Sequence, residues 1–468
     1  MVIAQSGGPT MVINQSLIGA VLEAKKHKLI KNIYGSLHGI AGILGENFID
    51  LRKESAATLE AVAKTPSSGL GSVRKKPTKD DCLAIFKVLQ KYNVRYFFYI
   101  GGNDTAETTH IINEEAKANN YPLQCFHIPK TIDNDLKEND HTPGFGSGAR
   151  FVAEAFMGDN LDNRALPGVK VNIIMGRHAG FLTAAAALAR IYPDDGPHLV
   201  YLPERPFDED KFAKDVERVY NKLGRCVVAV SEGICDKHGT AIAAKLSKEV
   251  DSHGNVQLSG SGALGDLLAG IIKSKTKISR VRADTFGYLQ RSFPDIASSV
   301  DSAEAREVGK LAVKHAVAGK KQSGSVTINR KSGKKYAPAY GLVELRQVSK
   351  ETRHMPDKFI NKDANDVTPA FIAYAKPLVG KLPLIGRFKG VRVKKVKSTT
   401  GAGDGAATAN VGSASSPTAV RWRALAALRA GRWSAPTRWW HRDRLSVLCL
   451  PRRPRASGRR RGTSGPRV

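Results

Sequence analysis

Short apolar runs alternate with amphipathic stretches from the start of the chain to about residue 320. Val2–Gln5 reads as a strand running into Ser6-Gly7-Gly8-Pro9, followed by a helix from about Met11 to Lys26. Tyr96–Ile100 reads as a buried strand that ends in Gly101-Gly102, with a helical pattern from Thr105 to Asn119 behind it. Gln124–Ile128 predicts the next strand, which enters Pro129-Lys130. Val171–Met175 leads into Gly176-Arg177 and an alanine-rich helix over Gly180–Arg190. His198–Leu202 and Cys226–Val230 are further predicted strands, with a helix over Asp208–Leu223 between them. Strands that alternate with helices predict parallel α/β layers. Such sheets gather ligands at the carboxyl ends of their strands, and that is where the unusual residues cluster.

The candidate chemistry follows those strand ends. Ser6-Gly7-Gly8, between strand and helix, lets backbone amides approach a phosphate, or is simply a tight turn. Gly101-Gly102-Asn103-Asp104 offers backbone access plus two oxygen donors suited to Mg²⁺ on a phosphate, although Asn103 or Asp104 equally suits a helix cap. Lys130-Thr131-Ile132-Asp133-Asn134-Asp135 sets an ammonium and two carboxylates within six residues. Phosphoryl transfer to an alcohol needs a base and cations, which Asp133 and Lys130 can supply; a solvated turn is the alternative. Arg177, in Met175-Gly176-Arg177-His178, suits bidentate phosphate binding, while His178 reads as a helix-start or core histidine. Glu232 follows a strand and can accept bonds from sugar hydroxyls, or can be a plain surface carboxylate. Phe286-Gly287-Tyr288-Leu289-Gln290-Arg291, with Arg282 upstream, can clamp a phosphorylated sugar.

Composition narrows the class. A chain of 468 residues, 41% hydrophobic and 25% charged, suits two or three folded domains rather than disorder. No apolar run reaches the ~18 residues of a membrane span, and the first residues lack a basic segment leading into an apolar one. Five scattered cysteines without a CxxC pair fit reduced thiols, so a soluble cytoplasmic protein is expected, with no membrane partner. The net charge of +30 suggests a polyanion until it is divided: the 71 residues from Ser398 to Val468 hold 14 Arg, no Lys and two acids, a net of +12, and all four tryptophans. No nucleic-acid motif accompanies that charge, so a non-catalytic nucleic-acid-binding protein ranks below an enzyme and no nucleic-acid partner is expected. The still basic body suits phosphate esters.

These segments, in this order and spacing, resemble the phosphofructokinase family from about residue 2 to 390. Thr65-Pro66-Ser67-Ser68 through Gly71-Ser72-Val73-Arg74, Pro143-Gly144-Phe145-Gly146-Ser147, and the Thr-Ile-Asp-Asn-Asp and Met-Gly-Arg pieces carry the likeness. The resemblance implies two Rossmann-like α/β domains with a cleft between them; the irregular basic tail that composition indicates matches nothing in the family. The likeness places a diphosphate- and Mg²⁺-binding domain at 1–145, completed by a later segment. A sugar-phosphate domain with the C-terminal family segment occupies 146–397, and 398–468 reads as a disordered or frame-shifted tail. ATP-using relatives have Gly-Gly-Asp-Gly where this chain has Gly-Gly-Asn-Asp, so Asp104 stands where the ATP α-phosphate would lie. The implied donor is therefore diphosphate, with an ATP-dependent enzyme as the alternative.

Carried over by position, Gly7, Arg74 and Lys130 resemble diphosphate contacts, and Asn103 with Asp104 the Mg²⁺ ligands. Asp133 resembles the base, with Lys130, Asp104 and Arg177 as its catalytic companions. Thr131, Ile132, Asp133, Met175, Gly176, Arg177, Glu232, Arg282, Tyr288, Leu289, Gln290 and Arg291 resemble the fructose 6-phosphate site. Arg282 resembles an arginine that crosses a subunit interface, which implies a homo-oligomer, a dimer or tetramer. A second such arginine has no clear counterpart; Lys170 or Arg164 are the substitutes to consider. Thr399-Thr400-Gly401-Ala402-Gly403-Asp404 is similar to the anion-hole segment of ribokinase-type kinases, but its surroundings are not, and it is read as coincidence or a relic of faulty sequence.

Overall fold

The computed structural model describes residues 1–73, 77–246, 262–319, 323–333, 335–349 and 351–395. Met1–Phe388 forms one compact unit and Lys389–Val468 a second, of which 389–395 is described and carries neither helix nor strand. Among the described residues eleven strands make two sheets. They are β1 (Val2–Gln5), β2 (Tyr34–Ser36), β3 (Phe48–Asp50), β4 (Tyr96–Gly101), β5 (Gln124–Pro129), β6 (Val169–Ile174), β7 (Leu199–Tyr201), β8 (Cys226–Ser231), β9 (Val281–Thr285), β10 (Gly324–Arg330) and β11 (Pro338–Val343). The first sheet has the order β11-β10-β5-β4-β1-β2-β3, parallel except for its outermost pairs, β10–β11 and β2–β3. The second is the wholly parallel β7-β8-β6-β9. No helix among the described residues is long and apolar enough to cross a membrane.

The buried strand β4 shows why the first sheet is covered on both faces. Phe98 and Ile100 point into a core shared with the helices Ile13–Lys25 and Ser299–Ala318. Phe97 and Tyr99 point the opposite way, into a core that includes Cys82, Ile85 and Phe86 of the helix Lys79–Lys91. This is the period-two alternation of a strand, with apolar residues on both faces as a parallel sheet requires. The second sheet repeats the arrangement: Val171, Ile173, Val228 and Val230 face one core, Ile174, Val227 and Ala229 the other.

Residues 299–343 return to the first sheet. β10 pairs with β5, and the helix Ser299–Ala318 packs on Ile13–Lys25 through two glycines. A Cβ on Gly19 would lie 2.1 Å from the Arg306 carbonyl oxygen, and one on Gly309 would lie 2.0 Å from that of Ser16. Only hydrogen fits at either place.

The alanine-rich stretch departs from the expected helix. Phe181–Ala184 forms one α-turn and Ala185–Ala189 a 3₁₀ segment, both fully inside the core. Small side chains let the backbone wind tightly there, and burial overrides alanine's helical preference. The helix after β4 begins earlier than the apolar pattern indicates, at Asn103, with Gly102 as its N-cap and no side-chain capping bond. Asn103 and Asp104 thus sit in its first turn.

Candidate active site

In the first sheet, chain order reverses across β1: β2 lies on one side and β4 on the other. The carboxyl ends of β1, β4 and β5 lie side by side at this switch point, where open α/β sheets place ligands. Ser6-Gly7-Gly8, Gly101-Gly102-Asn103-Asp104 and Lys130-Thr131 leave these three ends. All of these residues but Gly101 line a cavity of about 220 Å³ that also reaches Asp135.

Gly7 has a φ of +74°, and a Cβ there would stand 3.2 Å from the Lys130 ammonium. The position needs glycine for both reasons. Lys130 is 3% exposed and its Nζ donates to the Gly8 carbonyl oxygen at 2.6 Å, so the charge is aimed along the glycine turn. Ser72 Oγ donates to the Gly7 carbonyl oxygen at 2.6 Å and braces the same turn. Asn103 lines the cavity and has a buried Oδ1 with no hydrogen-bond partner, and Asp104 is exposed at the rim.

Asp133 lies on the loop after β5. Its backbone N–H donates to Thr131 Oγ1 at 3.1 Å, while its Oδ1 is buried without a partner. Burial foremost, and then the negative charges of Asp135 and Glu232, push its pKa up to about 7; Lys130 and Arg291 pull the other way. That list of neighbours joins the two sheets, because Glu232 follows β8 and Arg291 follows β9. Asp135 is also raised, chiefly by burial.

On the second sheet, Gly176 follows β6 with a φ of +134°, where a Cβ would lie 2.6 Å from the Ala179 carbonyl oxygen. Its N–H donates to Glu232 Oε1 at 3.4 Å, and its carbonyl accepts from Ser231 Oγ at 2.6 Å. The Met175 N–H donates to Gln290 Oε1 at 3.2 Å, so the ends of β6, β8 and β9 are tied together. Arg291 lies over the Tyr288 ring at 4.4 Å. A Cβ on Gly8 would lie 2.7 Å from Arg291 Nη1, which brings the glycine turn of the first sheet against the second.

The structure therefore brings together Gly7, Asn103, Asp104, Lys130, Thr131, Asp133, Met175, Gly176, Glu232, Gln290 and Arg291. Arg177 follows Gly176 directly and is partly exposed. Tyr288 and Leu289 are exposed at the edge of the group. Ile132 is different: its side chain is buried in the core, close to Gly148 and Leu182. Arg282 is exposed on β9, beside Lys170 of β6 in strand register. Lys170 is held by Asp159 at 3.2 Å and Asp284 at 2.6 Å, and Arg164 by Asp194 at 2.6 Å. Arg74 and residues 398–468, including the Thr399–Asp404 motif, lie outside the described residues.

Sequence reasoning missed Asp135 as a cavity residue and Glu204 altogether. Glu204 Oε1 accepts from the Gly180 N–H at 2.8 Å and the Met355 N–H at 3.1 Å, fixing the turn that carries Arg177. Asp135 was visible as the second carboxylate of its motif. Glu204 carried no signal, because its partners are 24 and 151 residues away.

The family model for phosphofructokinase matches residues 1–316. The chain is 56% identical over 399 residues to the pyrophosphate–fructose 6-phosphate 1-phosphotransferase of Rhodospirillum rubrum, covering 85% of this chain and 98% of that one. It is 39% identical over 391 residues to the enzyme of that name from Xanthomonas campestris, covering 81% and 92%. The crystal structure of a pyrophosphate-dependent phosphofructokinase from Marinobacter aquaeolei superposes with a TM-score of 0.73 at 32% identity, covering 85% of this chain and 98% of that one.

Proposed function

This chain belongs to the phosphofructokinase family, and from that premise we infer how its cleft works. It is a phosphotransferase that moves a phosphoryl group reversibly from diphosphate to the 1-hydroxyl of fructose 6-phosphate, giving fructose 1,6-bisphosphate and phosphate. The division of labour among its residues is our proposal. Diphosphate lies in the cavity at the ends of β1, β4 and β5, against the Gly7-Gly8 backbone and Lys130. The sugar phosphate lies against Met175, Gly176, Arg177, Glu232 and the Tyr288–Arg291 segment. The observation that carries this reading is Asp133, a half-buried carboxylate whose buried Oδ1 has no hydrogen-bond partner, set between those two groups.

Asp133 accepts the proton of the 1-hydroxyl as that oxygen attacks. A base titrating near neutrality both exists in its basic form and has the strength to remove the proton. Lys130 holds positive charge against the transferred group, and Arg177 orients the reacting phosphate or sugar by bidentate bonds. Mg²⁺ would be held at the first turn of the helix at Asn103, where the unpartnered Asn103 Oδ1 and the neighbouring Asp104 carboxylate would supply the one or two protein oxygens this ion ordinarily takes. When bound, the ion offsets charge on the phosphate oxygens. We further propose a cytoplasmic homo-oligomer in which Arg282 serves a neighbouring copy's sugar site.

Donor choice rests on Asp104, at the rim of a cavity of only about 220 Å³. Two like charges 4 Å apart repel by about 4 kcal/mol at an effective dielectric of about 20. Solvent screens an exposed carboxylate, yet ~1.4 kcal/mol already weakens a nucleotide tenfold. The test is kcat/KM for diphosphate and for ATP at fixed Mg²⁺. Wild type is expected to use diphosphate almost exclusively. Asp104→Gly should lose diphosphate efficiency and gain weak ATP activity, and Asp104→Gly with Lys130→Gly should favour ATP further. A wild type that prefers ATP would overturn the donor assignment.

A further inference from the structure

We propose that Arg353 is a positioning residue that holds the catalytic loop in register with the sugar-phosphate side of the cleft. The inference rests on the reading of Asp133 as the base. The loop from Lys130 to Gly144 contains two non-glycine residues in the left-handed region, Asn134 at φ +60° and Glu138 at φ +62°. Glu138 costs roughly 1 kcal/mol or more there and Asn134 less, so the loop keeps this shape only where its surroundings impose it.

Arg353 supplies that constraint from outside. Its backbone N–H donates to the Asp135 carbonyl oxygen at 2.8 Å, beside a bridge between Leu136 and Thr352. Its guanidinium donates to the carbonyl oxygens of Asn139 at 2.7 Å and Asp140 at 2.6 Å, directly after the strained Glu138. Tyr374 completes the clamp by donating to the Asp140 carbonyl oxygen at 2.6 Å while accepting from Asn134 Nδ2 at 2.8 Å. Asn134 adjoins Asp133, so the clamp acts one residue from the base.

The same short segment reaches the other half of the cleft. The Arg353 guanidinium lies 4.7 Å from the ring of Phe181, in the turn that follows Arg177. His354 Nδ1 is 2.9 Å from the His178 carbonyl oxygen, and the Met355 N–H joins Gly180 on Glu204. Residues 352–355 thus strap the loop bearing Asp133 to the turn bearing Arg177. A misplacement of about 1 Å between reacting groups costs on the order of a hundredfold in rate.

The experiment compares Arg353→Ala and Arg353→Lys, with Asp133→Asn alongside. Arg353→Ala is expected to lower kcat about tenfold or more while KM for diphosphate stays within about twofold; lysine, which keeps the charge and one donor, should recover a substantial part. A folded Arg353→Ala enzyme with kcat within twofold of wild type overturns the inference, as does equal loss in kcat for both variants accompanied by a matching rise in KM for both substrates. If the alanine variant does not fold, the lysine variant decides: a threefold or greater fall in kcat at unchanged diphosphate KM supports the role, and wild-type kcat removes it. Near-normal turnover in Asp133→Asn would remove the base reading and this inference together. Loss of turnover there with full activity in Arg353→Ala removes only the inference.

Discussion

Asp133 is expensive to keep where it is. Burial and two nearby carboxylates raise its pKa from 3.8 to about 7, so the folded protein binds this proton more tightly than the unfolded chain does. Its contribution to stability is therefore fully present below about pH 4 and is lost as pH rises through about 7. Asp133→Asn removes that loss: at pH 8 the variant is expected to be more stable than wild type by roughly 1–3 kcal/mol, read as a higher urea midpoint. The same change should lower kcat by roughly 10²–10⁴-fold. Direction matters as well. Phosphorylation of the sugar needs the carboxylate and should gain kcat/KM as pH rises through about 7; the reverse reaction needs the carboxylic acid and should lose it over the same range. Parallel pH profiles in the two directions would show that another group is the base. Asp133 and Lys130 were legible in the sequence because both sit in one short run behind a buried strand. Glu232 and Arg291, which set the charge around them, could be placed there only through family likeness, since 98 or more residues separate them from Asp133.

The elements were legible where apolar periodicity was strong. β1 and the strands ending at Gly101, Pro129, Ile174 and Ser231 stand within two residues of their predicted bounds, and Glu209–Leu223 differs from its predicted range only because Asp208 is the cap. The three-residue strands β2 and β3 were not legible, because Tyr34-Gly35-Ser36 and Phe48-Ile49-Asp50 lack the unbroken apolar run that marks the equally short β7. That a later segment completes the first domain was expected only from the family likeness, since the pairing between Gly324 and Phe126 is long-range. Packing of Ile13–Lys25 on Ser299–Ala318 yields its own test. Gly309→Ala should gain up to about 1 kcal/mol of helix propensity, but its Cβ would fall 2.0 Å from the Ser16 carbonyl oxygen. Overpacking of this kind costs about 1–3 kcal/mol, so the net change should be destabilising and visible as a lower urea midpoint. A higher midpoint would mean that the helices separate at little cost.

For the whole molecule, the chain divides after Phe388. Removing Ser398–Val468 is expected to leave folding and kcat/KM for diphosphate within about twofold of the full chain, because a relative matched over 98% of its own length accounts for only 85% of this one. Loss of folding or of turnover in the shortened protein would show that these residues carry a structural or catalytic part. The placement of β10 beside β5 has a consequence for biogenesis. A ribosome delivers Met1–Pro129 first, yet the sheet begun by those residues waits for a strand nearly two hundred residues further on. All four strands of the second sheet, the last ending at Thr285, emerge before that strand does. Through that interval the open side of β5 presents unpaired backbone groups, the kind of edge that recruits other chains. Synthesis arrested between Thr285 and Gly324 should therefore leave nascent chains with all four strands of the second sheet but without the Met355–Val379 part of its core, and with a bare β5 edge whose need for chaperone cover ends once β10 clears the exit tunnel.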